Sequence, residues 1–143
     1  MKLVDLNLLL YATNRDAPGH EEAREWWEQT LSREETVGLA WVVVLGFLRI
    51  TTRPAIFSQP LTPEQAIDTV SSWLSLPVVV EIHPGARHWS ILQSLLRQSG
   101  TAANLTTDAH LAALAIEYDA TLCSRDHDFR RFEPELRFLD PLR

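Results

Sequence analysis

A chain of 143 residues, 45% apolar and 22% charged, is one domain over 1–143 with enough length for a core of its own. Its net charge of −6 argues against a protein that holds nucleic acid by bulk attraction, but not against an enzyme that meets it through a local basic rim. The single cysteine, Cys123, excludes an internal disulfide and a cysteine-based zinc site and fits a reducing compartment, the cytoplasm. No secretory segment is expected before the charged strand end at Asp5, and the apolar run Leu39 to Leu48 reaches only about half of a membrane span.

Lys2-Leu3-Val4-Asp5 predicts a first strand and Leu8 to Ala12 the helix after it, together covering residues 2 to 13. Asn14 to Gly19 reads as a loop, and His20 to Leu31 as a second helix, acidic outside, with Ala23, Trp26 and Trp27 facing inward. Thr36 to Leu39 is a short strand. Trp41 to Thr52 is apolar on every side, so periodicity alone fits a strand or a buried helix; its length and the polar end at Arg49 select the helix. Thr51 to Pro60 is an exposed loop. Thr62-Pro63-Glu64-Gln65 then carries a threonine cap, a proline at the first helical position and a glutamine that closes a capping box, opening a helix to about Ser75.

Val78 to Ile82 reads as a strand, His83-Pro84-Gly85 as a turn, and Ala86 to Ser99 as a helix stopped by Gly100. Leu111, Ala112, Leu114, Ala115 and Tyr118 share one face at helical spacing, with Thr107 as the expected N-cap. Ala120 to Cys123 forms a strand and Leu136 to Leu139 a last short one. Strands alternating with helices predict an α/β fold, a parallel sheet with helices on both faces. The five tryptophans read as core and interface anchors, and His83, His88 and His110 as surface residues. His127 could touch a phosphate or be solvated.

Acids recur at equivalent places in this plan. Asp5 ends the first strand, Asp126 and Asp128 follow the strand that ends at Cys123, and Asp108 stands at the start of a helix, on the face of Ala112 and Ala115. Ligand sites of open parallel sheets form just outside the carboxyl ends of neighbouring strands. If these strands are neighbours, the acids converge. Carboxylates side by side need a counter-charge, and a hard divalent cation such as Mg²⁺ or Mn²⁺ supplies it. Each acid also has a plainer reading: Asp5 and Asp108 as complements to a helix dipole, Asp126 and Asp128 as turn residues. Asn7 could cap a helix or support Asp5, and Ser124 could cap a turn or orient a metal-bound water.

Metal-dependent phosphodiester hydrolysis fits such a cluster, because carboxylates hold Mg²⁺ while leaving waters in place. Phosphoryl transfer through an aspartyl intermediate, suggested by Asp5-Leu6-Asn7, needs a lysine. The sole lysine, Lys2, begins the same strand and points away. A non-catalytic binding module is the third reading.

VDLNLLLYA and TTDAHLAALAIEYDATLCSRDHDF, with LAWVVVLGFLRITTRP between them and FLDPL at the end, resemble the PIN domain, in particular the VapC-type toxin ribonucleases of bacterial toxin–antitoxin pairs. The resemblance covers almost the whole chain. It implies a three-layer α/β/α sandwich around a mainly parallel sheet of about four or five strands, Mg²⁺ or Mn²⁺, and endonucleolytic cleavage of RNA, often transfer or ribosomal RNA. It also implies a homodimer and a VapB-type antitoxin whose tail covers the site. By position it makes Asp5, Asp108 and Asp126 the metal-holding acids, with Asp128 beside them and Asn7 and Ser124 in support.

One position departs from the family. Its second acid, a middle-helix glutamate before an apolar-Leu-Arg run, falls at Gly46, and no acid occurs between Glu35 and Glu64. That departure implies one tightly held ion and keeps open a weakened PIN fold that binds RNA or serves as a scaffold. For RNA contact, Arg49, Arg53, Arg87, Arg125, Arg130 and Arg131 are expected at helix or loop ends near the mouth, since arginine suits bidentate phosphate contact. Apolar, tryptophan-rich helices near residues 20 to 75 suggest the interface for a second copy and for an antitoxin helix.

Overall fold

The computed structural model describes residues 1–143. Five strands, β1 (Lys2–Val4), β2 (Val37–Ala40), β3 (Val79–Ile82), β4 (Thr121–Cys123) and β5 (Arg137–Leu139), form one all-parallel sheet in the order β3-β2-β1-β4-β5. Six helices connect them: α1 (Leu6–Thr13), α2 (His20–Ser32), α3 (Trp41–Thr51), α4 (Pro63–Leu74), α5 (His88–Ser99) and α6 (Thr106–Glu117). The α/β expectation therefore holds, with five strands and no antiparallel pair.

The chain moves outward from β1 through β2 to β3, then jumps back to the other side of β1 for β4 and β5. Parallel crossovers are right-handed, so reversing direction also changes the face that the helices cover. Helices α1 to α4 thus lie on one face, and α5 and α6 on the other. Between β1 and β4 the strand order switches, opening a crevice at their carboxyl ends.

β1, β2 and β4 form the centre of the sheet, where Leu3, Val4, Val37, Leu39, Leu122 and Cys123 are almost wholly enclosed. On the α1–α4 face, Trp27, Phe47 and Trp73 meet edge to face, with Trp73 4.9 Å from the Phe47 ring and 5.4 Å from Trp27. α6 is alanine-rich, with Ala109 and Leu111 to Ala115 buried, which lets it lie close on the sheet.

Local chemistry explains most boundaries. The Thr62–Gln65 capping box forms as expected and starts α4, and Gly100 ends α5 in the left-handed region. Other expectations are corrected. α6 begins one residue before Thr107, so Thr107 lies inside the first turn and α6 has no side-chain cap. Tyr118 leaves the apolar stripe and is exposed, its hydroxyl donating to the His83 carbonyl at 2.9 Å. The loop after α3 is anchored by the buried Phe57. Of the five tryptophans only Trp27 and Trp73 are buried, while Trp41 and Trp89 are exposed. His88 is buried between α5 and α6, its Nε2 lying 2.9 Å from Nδ1 of a half-buried His110.

Candidate active site

Asp5 stands where β1 hands over to α1. Its amide still belongs to the sheet, donating to the Cys123 carbonyl at 2.9 Å, while its side chain caps α1 by accepting the Leu6 N–H at Oδ1, 2.7 Å. The dipole-capping reading of Asp5 and the site reading therefore describe one geometry. Its other oxygen, Oδ2, accepts the hydroxyl of fully buried Ser124 at 2.6 Å.

Ser124 follows β4 directly and ties two ends of the chain together. Its Oγ accepts from Asn7 Nδ2 at 3.1 Å and from the Asp126 N–H at 2.9 Å. With its own proton given to Asp5, the hydroxyl uses its donor and both acceptor lone pairs. Asn7 Oδ1 in turn accepts the Arg125 N–H at 3.3 Å. The turn closes as Asp126 Oδ1 accepts the Asp128 N–H at 2.9 Å and caps the short 3₁₀ helix His127–Phe132. Phe129 and Phe132 pin that helix into the core.

Asp108 reaches the same volume from the first turn of α6, half-buried beside the buried Ala109. Burial, and then the charges of Asp126, Asp5 and Asp128, push its carboxyl up to about 6, with Arg131 opposing them. Asp5 is also raised, first by burial, with Asp126 adding to it and the Ser124 and Leu6 hydrogen bonds pulling the other way. Carboxylates this close and uncompensated seek a positive partner. The structure thus brings together all four acids and both supporting residues named from the sequence.

The donor set is all oxygen, which suits a hard cation. No group of three or more histidine, cysteine, aspartate or glutamate side chains is spaced so as to hold a metal ion as it stands. Mg²⁺ fits such a sparse set, since it keeps several waters and takes only a few carboxylates directly. Gly46 packs under the site: a Cβ there would stand 2.5 Å from Leu6 Cδ2. Leu6, next to Asp5, occupies the space that a side chain at position 46 would claim.

The six arginines separate. Arg131 lies against the cluster, its Nε donating to the Asp128 carbonyl at 3.1 Å. Arg125 is next to it but holds Asp140 at 3.3 Å, and Arg130 packs over the Phe138 ring at 5.1 Å. Arg49 and Arg53 are exposed at and beyond the end of α3, with no side-chain partner. Arg87 is not near the mouth. It binds the Glu117 carbonyl at the far end of α6, nine residues and about 13 Å along the helix from Asp108.

Sequence reasoning missed Asp140, which follows β5 as Asp5 follows β1. It is 7% exposed and accepts from His127 Nε2 at 2.7 Å and from the Leu142 N–H at 3.1 Å. Burial raises its carboxyl, but the His127 and Leu142 hydrogen bonds and the Arg125 charge outweigh that and hold it below the ordinary range. An acid directly after an apolar strand was the available signal. A cavity of about 670 Å³ lies elsewhere, at the far end of α1 between Asn14, Gln59 and Gln65, with no group of acids. Asp5, Asp108, Asp126 and Asp128 line neither this cavity nor the smaller one beside Trp26 and Leu142.

Residues 2–133 match the PIN domain family. The chain is 47% identical to Ribonuclease VapC37 of Mycobacterium tuberculosis, with 93% of this chain and 92% of that protein aligned. It is 45% identical to Ribonuclease VapC33 of the same species over 100% of this chain and 99% of that one. Among solved structures it resembles a chain of VapBC2 from Rickettsia felis bound to a DNA fragment from their promoter, with a TM-score of 0.68, 20% identity and 96% of each chain covered. At that identity the likeness concerns the fold. No helix is long and apolar enough to cross a membrane.

Proposed function

The chain belongs to the PIN domain family, and from that premise we propose that it is the endoribonuclease toxin of a toxin–antitoxin pair, cleaving RNA phosphodiester bonds with Mg²⁺ or Mn²⁺ held by Asp5, Asp108 and Asp126. The observation that carries this reading is the convergence of carboxylates from three separate segments of the chain: the charge of Asp126 acts on both Asp5 and Asp108, and those of Asp5 and Asp128 act on Asp108. The ribonuclease relatives support RNA as the substrate class, and the VapBC neighbour supports a VapB-type antitoxin as partner.

When bound, the cation would lower the pKa of a coordinated water and offset charge on the scissile phosphate. The protein's own part is orientation. Ser124 and the Leu6 N–H each fix one oxygen of Asp5. Asn7 and Ser124 hold the turn that presents Asp126 and Asp128. Arg131, beside Asp108, and the unpaired Arg49 and Arg53 are available to bind RNA phosphates bidentately. A homodimer and an antitoxin helix would cover the exposed apolar residues Trp41, Leu45 and Ile67 on α3 and α4.

A second reading, a PIN fold that binds RNA without cutting it, is favoured by one observation: Leu6 fills the space at Gly46, where the family's second acid is expected. Incubation of total RNA with Mg²⁺ and the wild-type, Asp5→Asn and Asp108→Asn proteins separates the two. Cleavage by wild type that both substitutions abolish supports the nuclease. No cleavage by wild type supports the scaffold, and cleavage that neither substitution touches places the chemistry elsewhere.

A further inference from the structure

We propose that Asp140 is a positioning residue for the turn that carries Asp126 and Asp128, an inference that rests on the reading of those acids as the metal site. Asp140 lies beyond residues 2–133, the span matched to the family. It sits in register beside the turn, because the Ser124 N–H donates to the Leu139 carbonyl at 3.0 Å and so continues the β4–β5 ladder by one step.

The contacts alternate along the turn. Asp140 Oδ2 takes His127 Nε2 at 2.7 Å and Arg125 Nε at 3.3 Å, the residues on either side of Asp126. Asp126 and Asp128 take no part in this grip. Their charges are instead felt on the opposite side, Asp126 at Asp5 and Asp108, and Asp128 at Asp108. Asn7 and Ser124 hold the turn from the side of Asp5, and Asp140 holds it from the side of β5.

Its burial makes the arrangement specific. An enclosed carboxylate persists only when paired and hydrogen-bonded, and the Asp140 side chain is 1% exposed. A role confined to the chain's last turn would need only the Leu142 N–H, which uses Oδ1. Oδ2 is committed wholly to the turn. The His127 ring is also set edge-on to Phe138 on β5, with centroids 6.0 Å apart.

Such outer hydrogen bonds typically change metal affinity by about 10- to 100-fold. Calorimetric titration of the full chain with Mn²⁺ tests the assignment in a cycle of Asp140→Asn, Asp126→Asn and the double variant. Asp140→Asn is expected to weaken binding about 10-fold in the wild-type background, and less than about threefold once Asp126 is gone, since interacting groups are not additive. Equal losses in both backgrounds would mean that Asp140 acts through general stability, and would overturn the proposal. If Asp126→Asn weakens binding and Asp140→Asn does not, the proposal alone falls. If Asp126→Asn has no effect, the metal site is misassigned and the proposal falls with it. Should Asp140→Asn not fold, exposed His127 supplies the same test: His127→Leu should weaken Mn²⁺ binding, and His127→Gln, which keeps a donor of similar reach, should restore it. Indistinguishable affinities for the three would overturn the proposal.

Discussion

Ser124 Oγ donates to Asp5 Oδ2 at 2.6 Å, closing a bond between residues 119 apart in sequence at the switch point of the sheet. That hydroxyl also accepts from Asn7 and from the Asp126 N–H, so one small side chain sets the relation between the two acidic segments. Ser124→Ala leaves both of those donors and Asp5 short of a partner. The expected results are a stability loss of about 1–3 kcal/mol, measured by urea unfolding, and metal binding about 10-fold weaker by calorimetry.

Asp108 carries a pH signature. Its carboxyl is raised from 3.8 to about 6 in the folded protein, so between those values the native state binds more protons than the unfolded one. The stability this contributes is fully present below 3.8 and is lost as pH rises through about 6. In the ion-free protein Asp108→Asn should therefore raise the melting temperature by a few degrees at pH 7.5 and leave it unchanged at pH 3.5. Solvent screening of the half-buried group limits the gain to about 1 kcal/mol. With saturating Mg²⁺ the order at pH 7.5 should invert, because only wild type retains the ligand.

The arginines give a contrast. Arg131→Ala should raise the KM for RNA several-fold and move Asp108 further upward, since Arg131 is the charge that lowers it. Arg53→Ala should weaken RNA binding with metal affinity unchanged. Arg87→Ala should leave both untouched, because Arg87 is occupied by Glu117 at the other end of α6. Filter binding and calorimetry on the three variants check this.

Position 46 predicts a limit on repair. Gly46→Glu does not simply restore the family's second acid, because the new Cβ meets Leu6 Cδ2 at 2.5 Å and Leu6 adjoins Asp5. Only the flexible end of Leu6 is met, so the expected outcome is a turn of that side chain at a cost of about 1 kcal/mol, by denaturant unfolding, with no second strong metal site.

Much of this was legible beforehand because hydrophobic burial writes itself into sequence. The buried runs at Leu3-Val4, Val37 to Leu39 and Leu122-Cys123 marked the central strands, and Asp5 after the first and Asp126 shortly after the last marked the ligand edge. The family resemblance then joined segments that no local pattern could join. Long-range pairing was not legible: that His88 would bury against His110, or that Arg87 would face Glu117, depends on how α5 crosses α6. Asp140 escaped for the same reason. Its place directly after an apolar strand was a local signal, but its partners His127 and Arg125 follow the neighbouring strand, and that pairing is not written locally.

Asp5 and Asp108 are proposed to share one cation. Titrating Mn²⁺ into wild type, Asp5→Asn, Asp108→Asn and the double variant, without RNA, tests it most directly. A single strong site is expected in wild type, weakened at least 10-fold by either substitution, with the double variant little worse than the singles. Two strong sites in wild type, or binding that survives both substitutions, would contradict it.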